Sequence, residues 1–344
     1  MLCYIGSYTT GPEQGVMRIE VDPTSGAMHF VAEDGDLGSP SFLAFGPQRR
    51  CLFAVGSNKA YPGGGALYSL PVADDGSLHL LSSEASHGQS ACHLAISADG
   101  KHGYVANYSS GTVSAFAIEG DGSLSPAVQV LQHEGTGPHK RQEKAHAHGA
   151  YLSPDQRFVL VADLGIDQVV IYARGVDGTL THHGECQLAP GAGPRHLSFF
   201  GNDVYVINEL DNTITHCQWD PAAATLSVVA SVPTLPDSFS GGSTTAEVAV
   251  SPDGRYVYGS NRGHDSLVTC ARADDGSLSV LGHVSTGGEH PRHFCLIPGT
   301  ELLLCANQDS NNILSYHIDA NTGLPVATGH ELNIRKPVCI LPVA

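Results

Sequence analysis

The chain has 344 residues, of which 41% are hydrophobic, and it contains 40 glycines and 20 prolines. This length fits one large β domain or two average domains, and the many turn-forming residues favour short strands over long helices. The net charge of -17 repels nucleic acid and anionic lipid, so we expect neither nucleic acid nor a membrane as a partner.

The chain opens with two predicted strands, at residues 3–9 and 15–21, without a strand before them. The opening MLCYIGSYTT lacks the basic and apolar regions of a signal peptide, and no apolar run approaches the length of a membrane-spanning helix. The nine cysteines are odd in number and form no CxxC pair, which is typical of buried, reduced thiols. We therefore expect a soluble, cytoplasmic protein.

Six predicted hairpins follow, each a strand, a tight turn and a second strand. They occupy residues 42–56, 93–107, 149–163, 196–208, 247–261 and 293–307. A second recurring feature is a turn of the type Gly-x-Leu, whose glycine tolerates the positive φ that such turns require. Its seven copies, in one of which the glycine is lost, end at Met28, Leu78, Leu124, Leu180, Leu226, Leu278 and Leu324.

Seven copies spaced roughly 50 residues apart predict an all-β, seven-bladed β-propeller with one four-stranded blade per copy. The last predicted strand, at residues 337–343, has the character of a first strand. It would complete the blade that the N-terminal strands begin, which closes the ring and removes its open edges. We predict a single domain over residues 1–344.

In such a blade, the residue before the first strand and the residue after the second strand lie on the same face, near the central channel. The first of these two columns contains Ser41, Cys92, His148, Arg195, Ala246 and Arg292. The second contains Ser7, Ser57, Tyr108, Leu164, Glu209, Arg262 and Gln308. Arginine binds phosphate or carboxylate through paired N–H donors, and histidine transfers protons near neutral pH. The polar residues of four consecutive blades therefore predict a site for a small anion on one rim.

Each of these polar residues could instead satisfy backbone groups at a strand end. We interpret the recurring residues Asn107, Asp163, Asn208, Asn261 and Asn307 in that structural way.

The longest insertion between blades contains His139, His146 and His148. An HxH pair can bind zinc, but no further ligand follows at a recurring spacing, so we expect no metal. We predict that this insertion forms a wall of the site. The sequence also lacks the GxSxG motif of serine hydrolases and the GxxxxGK[ST] loop of nucleotide-binding proteins.

Six stretches of the chain resemble the lactonase family of seven-bladed propellers. They are residues 141–169, 191–199, 205–210, 246–263, 291–294 and 306–313, and the opening YIGSYT and the closing strand are similar too. The family includes bacterial 6-phosphogluconolactonases and fungal 3-carboxy-cis,cis-muconate lactonizing enzymes. The resemblance implies catalytic or binding roles for His148, Arg195, Glu209 and Arg262, and it implies no metal and no organic cofactor. Gln142 and Lys144 lie in an insertion whose sequence varies, and they are assigned no role.

These observations predict hydrolysis of 6-phospho-D-glucono-1,5-lactone to 6-phosphogluconate, in the pentose phosphate pathway. His148 or Glu209 would activate the water, and a glutamate flanked by arginines should have a lowered pKa and be the weaker base. Arg195 would stabilise the developing negative charge. Four further residues are predicted to bind the substrate, namely Arg262, Arg292, Gln308 and His196.

Three alternatives stay open. The first is a cyclase that closes a carboxylated muconate to its lactone, and the second is a hydrolase of another sugar lactone. The third is a non-enzymatic propeller that binds a partner on its rim. That alternative predicts apolar loop tips, whereas the tips are rich in Gly, Asp, Ser and His. The oligomeric state is open between a monomer and a weak homodimer.

Overall fold

The computed structural model describes residues 1–11 and 14–343. These residues form seven four-stranded antiparallel sheets, and the innermost strand of each sheet contacts the innermost strands of the two neighbouring sheets. The result is the predicted seven-bladed propeller around a central channel. Two short 3-10 turns, Pro47–Arg49 and Pro62–Gly64, lie between strands. The described ranges contain no helix long and apolar enough to cross a membrane.

The strands are numbered in chain order and fall into four positions from the channel outward. The innermost strands are β4 (Gly38–Phe45), β8 (Ala91–Ile96), β12 (Ala147–Leu152), β16 (Pro194–Phe200), β20 (Thr244–Val250), β24 (Pro291–Leu296) and β28 (Pro337–Pro342). The second strands are β1 (Leu2–Ser7), β5 (Cys51–Ser57), β9 (His102–Asn107), β13 (Phe158–Asp163), β17 (Asp203–Asn208), β21 (Tyr256–Arg262) and β25 (Leu302–Asn307). The third strands are β2 (Val16–Val21), β6 (Gly65–Pro71), β10 (Thr112–Ala117), β14 (Gln168–Arg174), β18 (Thr213–Asp220), β22 (Ser266–Arg272) and β26 (Asn312–Ile318). The outermost strands are β3 (Met28–Asp34), β7 (Ser82–Ala85), β11 (Gln129–Gln132), β15 (Leu180–Gln187), β19 (Thr225–Pro233), β23 (Leu278–Ser285) and β27 (Pro325–Asn333).

The ring closes through a blade made from both ends of the chain, as the sequence predicts. Strand β28 pairs antiparallel with β1, with Tyr4 opposite Leu341 and Ile5 opposite Ile340. Strands β2 and β3 complete this sheet on its outer side. We call it blade 1, and the sheets that begin with β4, β8, β12, β16, β20 and β24 are blades 2 to 7.

Adjacent blades are joined by apolar packing and by a recurring tyrosine contact. The second strands β9, β13, β17 and β25 are buried along their whole length. Tyr4 and Tyr205 both lie on second strands. The Tyr4 hydroxyl donates to the carbonyl of Gly76 in the next blade at 2.7 Å, and the Tyr205 hydroxyl donates to the carbonyl of Gly276 at 2.8 Å. Both glycines belong to the Gly-x-Leu turns and have φ of 77° and 82°. The repeated turn therefore sets both the end of the third strand and the fit between blades.

The recurring asparagine and aspartate residues are structural, as we interpret them from the sequence. Their side chains are fully buried and bond to the neighbouring loops and strands. Asn261 donates to the carbonyl of Thr234 at 2.8 Å, and Asn307 donates to that of Thr286 at 2.9 Å. Asp163 accepts from the backbone N–H of His146 at 2.7 Å. These bonds fix the ends of the second strands, where the loops of the candidate site begin.

Candidate active site

One column of predicted residues lies inside the innermost strands and not before them, so that part of the prediction is wrong. The strand register shifts between Ala91 and His93, and equivalent shifts occur in blades 4, 5 and 7. Such a shift is a β-bulge, in which one strand has an extra residue that has no partner on the neighbouring strand. The extra residues are Cys92, His148, Arg195 and Arg292. The bulges aim these side chains at the channel mouth or just beneath it.

The second column ends at the same face. Glu209 follows β17, Tyr108 follows β9, and Arg262 is the last residue of β21. Together with Cys92, His148 and Arg292 they surround a pocket of about 810 Å³ at the mouth of the channel. Of the seven residues predicted to act in catalysis or substrate binding, four line this pocket, namely His148, Glu209, Arg262 and Arg292.

Glu209 is the centre of a buried ion cluster. Its Oε2 lies 2.8 Å from Nη2 of Arg262 and 3.2 Å from Nε of Arg195, and its Oε1 lies 2.6 Å from Nη2 of Arg141. The side chains of Glu209, Arg195 and Arg262 are at most 6% exposed, whereas that of Arg141 is 38% exposed. Both carboxylate oxygens are therefore occupied by guanidinium groups.

Charge outweighs burial in setting the ionisation of Glu209. Burial alone would raise the pKa of its carboxyl, but the guanidinium groups of Arg262, Arg195 and Arg141 lower it well below the ordinary value of 4.5. Burial in turn lowers the pKa of Arg262 to about 10, although Glu209 opposes that shift. Glu209 stays ionised at neutral pH and is a weak base.

The arginine charges also act on His148, where they favour the neutral form. Its imidazole lines the pocket, with Nδ1 4.0 Å from Sγ of Cys92 and the ring edge-on to that of Tyr108. Burial and the positive charges of Arg195 and Arg292 lower its pKa well below the ordinary value of 6.5. The imidazole is therefore neutral at neutral pH and able to accept a proton.

Arg292 differs from the other pocket arginines. Its guanidinium lies over the ring of Tyr8, 5.5 Å from the ring centroid. In the part of the chain that the structure describes, no carboxylate lies within 4.0 Å of it, whereas Arg141, Arg195 and Arg262 all pair with Glu209. Arg292 thus offers the pocket a positive charge without a competing carboxylate.

A second layer of titratable residues lies beneath the pocket. His196 is buried, and its Nδ1 lies 2.9 Å from Oε2 of Glu247, which is also 3.5 Å from Nε2 of His293. The guanidinium of Arg195 rests against the His196 ring, with Nη1 3.2 Å from Nδ1, and donates to the carbonyl of Ala246 at 2.7 Å. Arg195 and His196 therefore form the floor under the pocket, where a narrow cleft of about 10 Å³ reaches them.

The pocket has two unlike sides. The residues of blades 4 to 7 and of the insertion supply most of its charges, whereas blades 2 and 3 supply neutral polar groups, glycines and one cation. This largely neutral side is lined by Ser39, Ser41, Ser57, Gln89 and Ser90, and the cation is Lys59. Gln308 does not line the pocket, and its side-chain amide donates to Asp309 at 2.8 Å.

Sequence reasoning missed two members of this arrangement. Arg141 lies in the insertion, so no repeat column includes it, and Glu247 directly follows a small residue of a column. The insertion does form a wall of the pocket, through Arg141. His146 of the HxH pair bonds to the Tyr108 carbonyl at 3.0 Å and pairs with Glu143. Within residues 1–11 and 14–343, no group of three or more His, Cys, Asp or Glu side chains converges to hold a metal ion.

Comparison with known proteins gives this arrangement a context. The family described as "Lactonase, 7-bladed beta-propeller" matches residues 2–342. The 6-phosphogluconolactonase of Bacillus subtilis strain 168 is 34% identical over 340 residues, which cover 98% of this chain and 97% of that protein. The structure of a Pseudomonas aeruginosa periplasmic gluconolactonase is similar with a TM-score of 0.93 and 29% identity, over 100% of this chain and 99% of that one. A Lactobacillus plantarum protein has a TM-score of 0.94 and 27% identity, over 100% and 99% of the two chains. The chain belongs to the lactonase family of seven-bladed β-propellers.

Proposed function

We propose that the protein hydrolyses 6-phospho-D-glucono-1,5-lactone to 6-phosphogluconate. Family membership and the similarity to the Bacillus subtilis 6-phosphogluconolactonase support lactone hydrolysis. The observation that carries the proposal is the pocket at the channel mouth, in which a neutral imidazole lies beside several arginines. Such a pocket can bind an anionic lactone and remove a proton from water.

His148 is the proposed general base. Attack by water forms a bond from the water oxygen to the lactone carbonyl carbon, and a base must take the proton that is released. His148 is neutral and faces the pocket, whereas both oxygens of Glu209 are held by guanidinium groups. When the bond from the carbonyl carbon to the ring oxygen breaks, the same imidazole returns the proton to that oxygen. Glu209 acts by positioning Arg195 and Arg262.

Arg195 is the proposed stabiliser of the tetrahedral oxyanion. Its guanidinium lies under the pocket and borders the narrow cleft that Arg292, Cys92 and Ser41 also line. A carbonyl oxygen directed at this cleft would meet a fixed positive charge as its own negative charge develops. Charges fixed in advance in a dry site are the most effective kind for this purpose.

The substrate's anionic group and hydroxyls would bind on different sides of the pocket. Arg292 is the proposed partner of the anion because it has no carboxylate of its own among the described residues, and Arg262 adds positive charge beside it. The serines and Gln89 of blades 2 and 3 would bind sugar hydroxyls. This neutral polar side favours a sugar lactone over a flat carboxylated muconate. His196 would act indirectly, from beneath Arg195.

The reaction belongs to the pentose phosphate pathway and would take place in the cytoplasm. Nine unpaired cysteines are compatible with that reducing compartment. The Pseudomonas aeruginosa relative is a periplasmic gluconolactonase, so the phosphate is the feature of the substrate that most needs a test.

A substrate panel tests the proposal. The rates of hydrolysis of 6-phospho-D-glucono-1,5-lactone and of D-glucono-1,5-lactone, and the rate of cyclisation of 3-carboxy-cis,cis-muconate, are compared for wild type and Arg292→Gln. We expect kcat/KM to be highest for the phosphorylated lactone, and the substitution to lower that preference at least about tenfold. Preference for the unphosphorylated lactone or for the muconate would overturn the proposed substrate.

A further inference from the structure

A smaller hollow lies beside the pocket, in the insertion between β11 and β12. It measures about 300 Å³ and is bordered by Lys140, Arg141, Glu143, Lys144, His146 and Tyr108. We call it the insertion hollow. Arg141 and Tyr108 line the insertion hollow and the pocket alike, so the two cavities share a wall.

The insertion hollow concentrates positive charge in an acidic protein. The chain has a net charge of -17 and five lysines in total, and two of those, Lys140 and Lys144, lie here. Among the described residues, neither lysine has a carboxylate within 4.0 Å. The carboxylate at this site, that of Glu143, lies 3.3 Å from Nε2 of His146. The lysine charges are therefore available to a ligand.

The loop that carries these lysines is held in place by a buried residue. Gln142 is fully buried, and its Nε2 donates to the carbonyl of Leu164 at 2.8 Å and to Oδ1 of Asp167 at 2.6 Å. Its Oε1 accepts from the backbone N–H of His139 at 2.9 Å. Because this anchor lies between Lys140 and Lys144, the backbone that carries the two lysines is fixed before a ligand arrives, which lowers the entropic cost of binding.

We propose that the insertion hollow is a phosphoryl-binding site formed by Lys140, Arg141 and Lys144. A phosphoryl group carries close to two negative charges and three acceptor oxygens, which matches three cationic donors better than a carboxylate does. The group could belong to the lactone substrate and reach past Arg141, or to a separate phosphate ester or phosphate ion. The first source rests on the proposed hydrolysis and would place the substrate's phosphoryl group here instead of at Arg292, whereas the second source does neither.

Occupation of the insertion hollow would act on the pocket through Arg141. Its Nη2 bonds to Oε1 of Glu209 at 2.6 Å and to the Tyr108 hydroxyl at 2.9 Å. A phosphoryl group in the hollow competes for the same guanidinium. Binding there is therefore coupled to the ion cluster that holds Arg195 and Arg262.

Calorimetric titration with inorganic phosphate tests the site directly. We expect saturable binding to the wild type and about tenfold weaker binding to Lys140→Gln/Lys144→Gln, since two charged contacts are lost. The matched control is Lys101→Gln/Arg255→Gln, which makes the same change in net charge in turns on the opposite face. It should bind phosphate as the wild type does. Equal binding by the wild type and the hollow variant, or no saturable binding, overturns the proposal.

Kinetics of the same variants identify the source of the phosphoryl group. If it is the substrate's own, the hollow variant raises KM for the phosphorylated lactone about tenfold and leaves KM for D-glucono-1,5-lactone unchanged. If it is a separate molecule, KM for the phosphorylated lactone stays constant in the hollow variant, and inorganic phosphate changes the rate of the wild type but not that of the hollow variant. Phosphate binding without any lactone hydrolysis would refute the proposed function but support the phosphoryl-binding site. Lactone hydrolysis without phosphate binding would support the proposed function but refute the phosphoryl-binding site.

Discussion

The Glu209→Gln variant tests whether one carboxylate stabilises the three arginines of the buried ion cluster. The substitution keeps the shape of the side chain but removes the charge that Arg141, Arg195 and Arg262 share at 2.6 to 3.2 Å. Removing one partner of a buried ion pair costs about 3–5 kcal/mol, because the other charge stays buried without compensation. Two of these three arginines are at most 6% exposed, so we expect a loss in that range at neutral pH. The apparent unfolding temperature should fall by roughly 4–7 °C.

The pH dependence of this loss gives a second test. The folded pKa of Glu209 lies below its ordinary value of 4.5, so ionised Glu209 stabilises the fold fully above that value. The stabilisation is lost as pH falls through the folded pKa. The difference in the free energy of unfolding between wild type and Glu209→Gln, measured by urea denaturation, should therefore be constant near neutrality and smaller at about pH 3.5. The control is Glu185→Gln, which breaks a half-exposed ion pair with His182 and should leave the free energy of unfolding nearly unchanged. A Glu209→Gln protein as stable as the wild type at neutral pH would refute this description of the ion cluster.

Four further outcomes are expected. Arg195→Ala should lower kcat by at least about 100-fold. Arg49→Ala, a change in a turn on the opposite face, should leave kcat close to the wild-type value. Equal kcat values of the two variants in the lactone assay would show that Arg195 has no part in the mechanism. The acid limb of kcat/KM should have its midpoint below pH 6.5, because burial and neighbouring arginines lower the pKa of His148; a midpoint at or above 6.5 would contradict His148 as the base. Deleting the closing strand Pro337–Pro342 leaves β1 as an open edge, so the truncated protein should show no cooperative unfolding by circular dichroism. A truncated protein that unfolds cooperatively like the wild type would contradict the closure of the ring by this strand. Ala224→Gly should raise the free energy of unfolding by up to about 1 kcal/mol, because Ala224 has a φ of 55°, which strains the backbone of any residue but glycine. A lower free energy of unfolding in the variant would argue against this backbone strain.

The repeat predicts the fold well because each blade contains the same local chemistry. Hairpin turns, buried second strands and left-handed glycines are set by residues close together in the sequence, and they recur from blade to blade. Gly76 and Gly276 show this directly, since each sits in the turn that its motif predicts with a positive φ. The blade that lacks this glycine keeps the conformation with Ala224 instead.

The site is predicted less completely because its geometry depends on irregularities. The columns locate His148 and Arg292 on the correct face, but they misplace the strand starts, since a β-bulge leaves no mark in composition or periodicity. Arg195 occupies an equivalent bulge but borders the cleft beneath the pocket, where its guanidinium donates to the carbonyl of Ala246. Arg141 belongs to no repeat, so its contact with Glu209 follows only from the three-dimensional path of the insertion.

The coupled assay of lactone opening is the most direct test of the central claim. Glucose 6-phosphate is oxidised to generate 6-phospho-D-glucono-1,5-lactone in place, and 6-phosphogluconate dehydrogenase reports the product. We predict that the wild type accelerates opening over the spontaneous rate, and that folded His148→Ala, whose residue lines the pocket, does not. An unaccelerated reaction with the wild type would contradict the proposed substrate, and full acceleration by His148→Ala would contradict the proposed site.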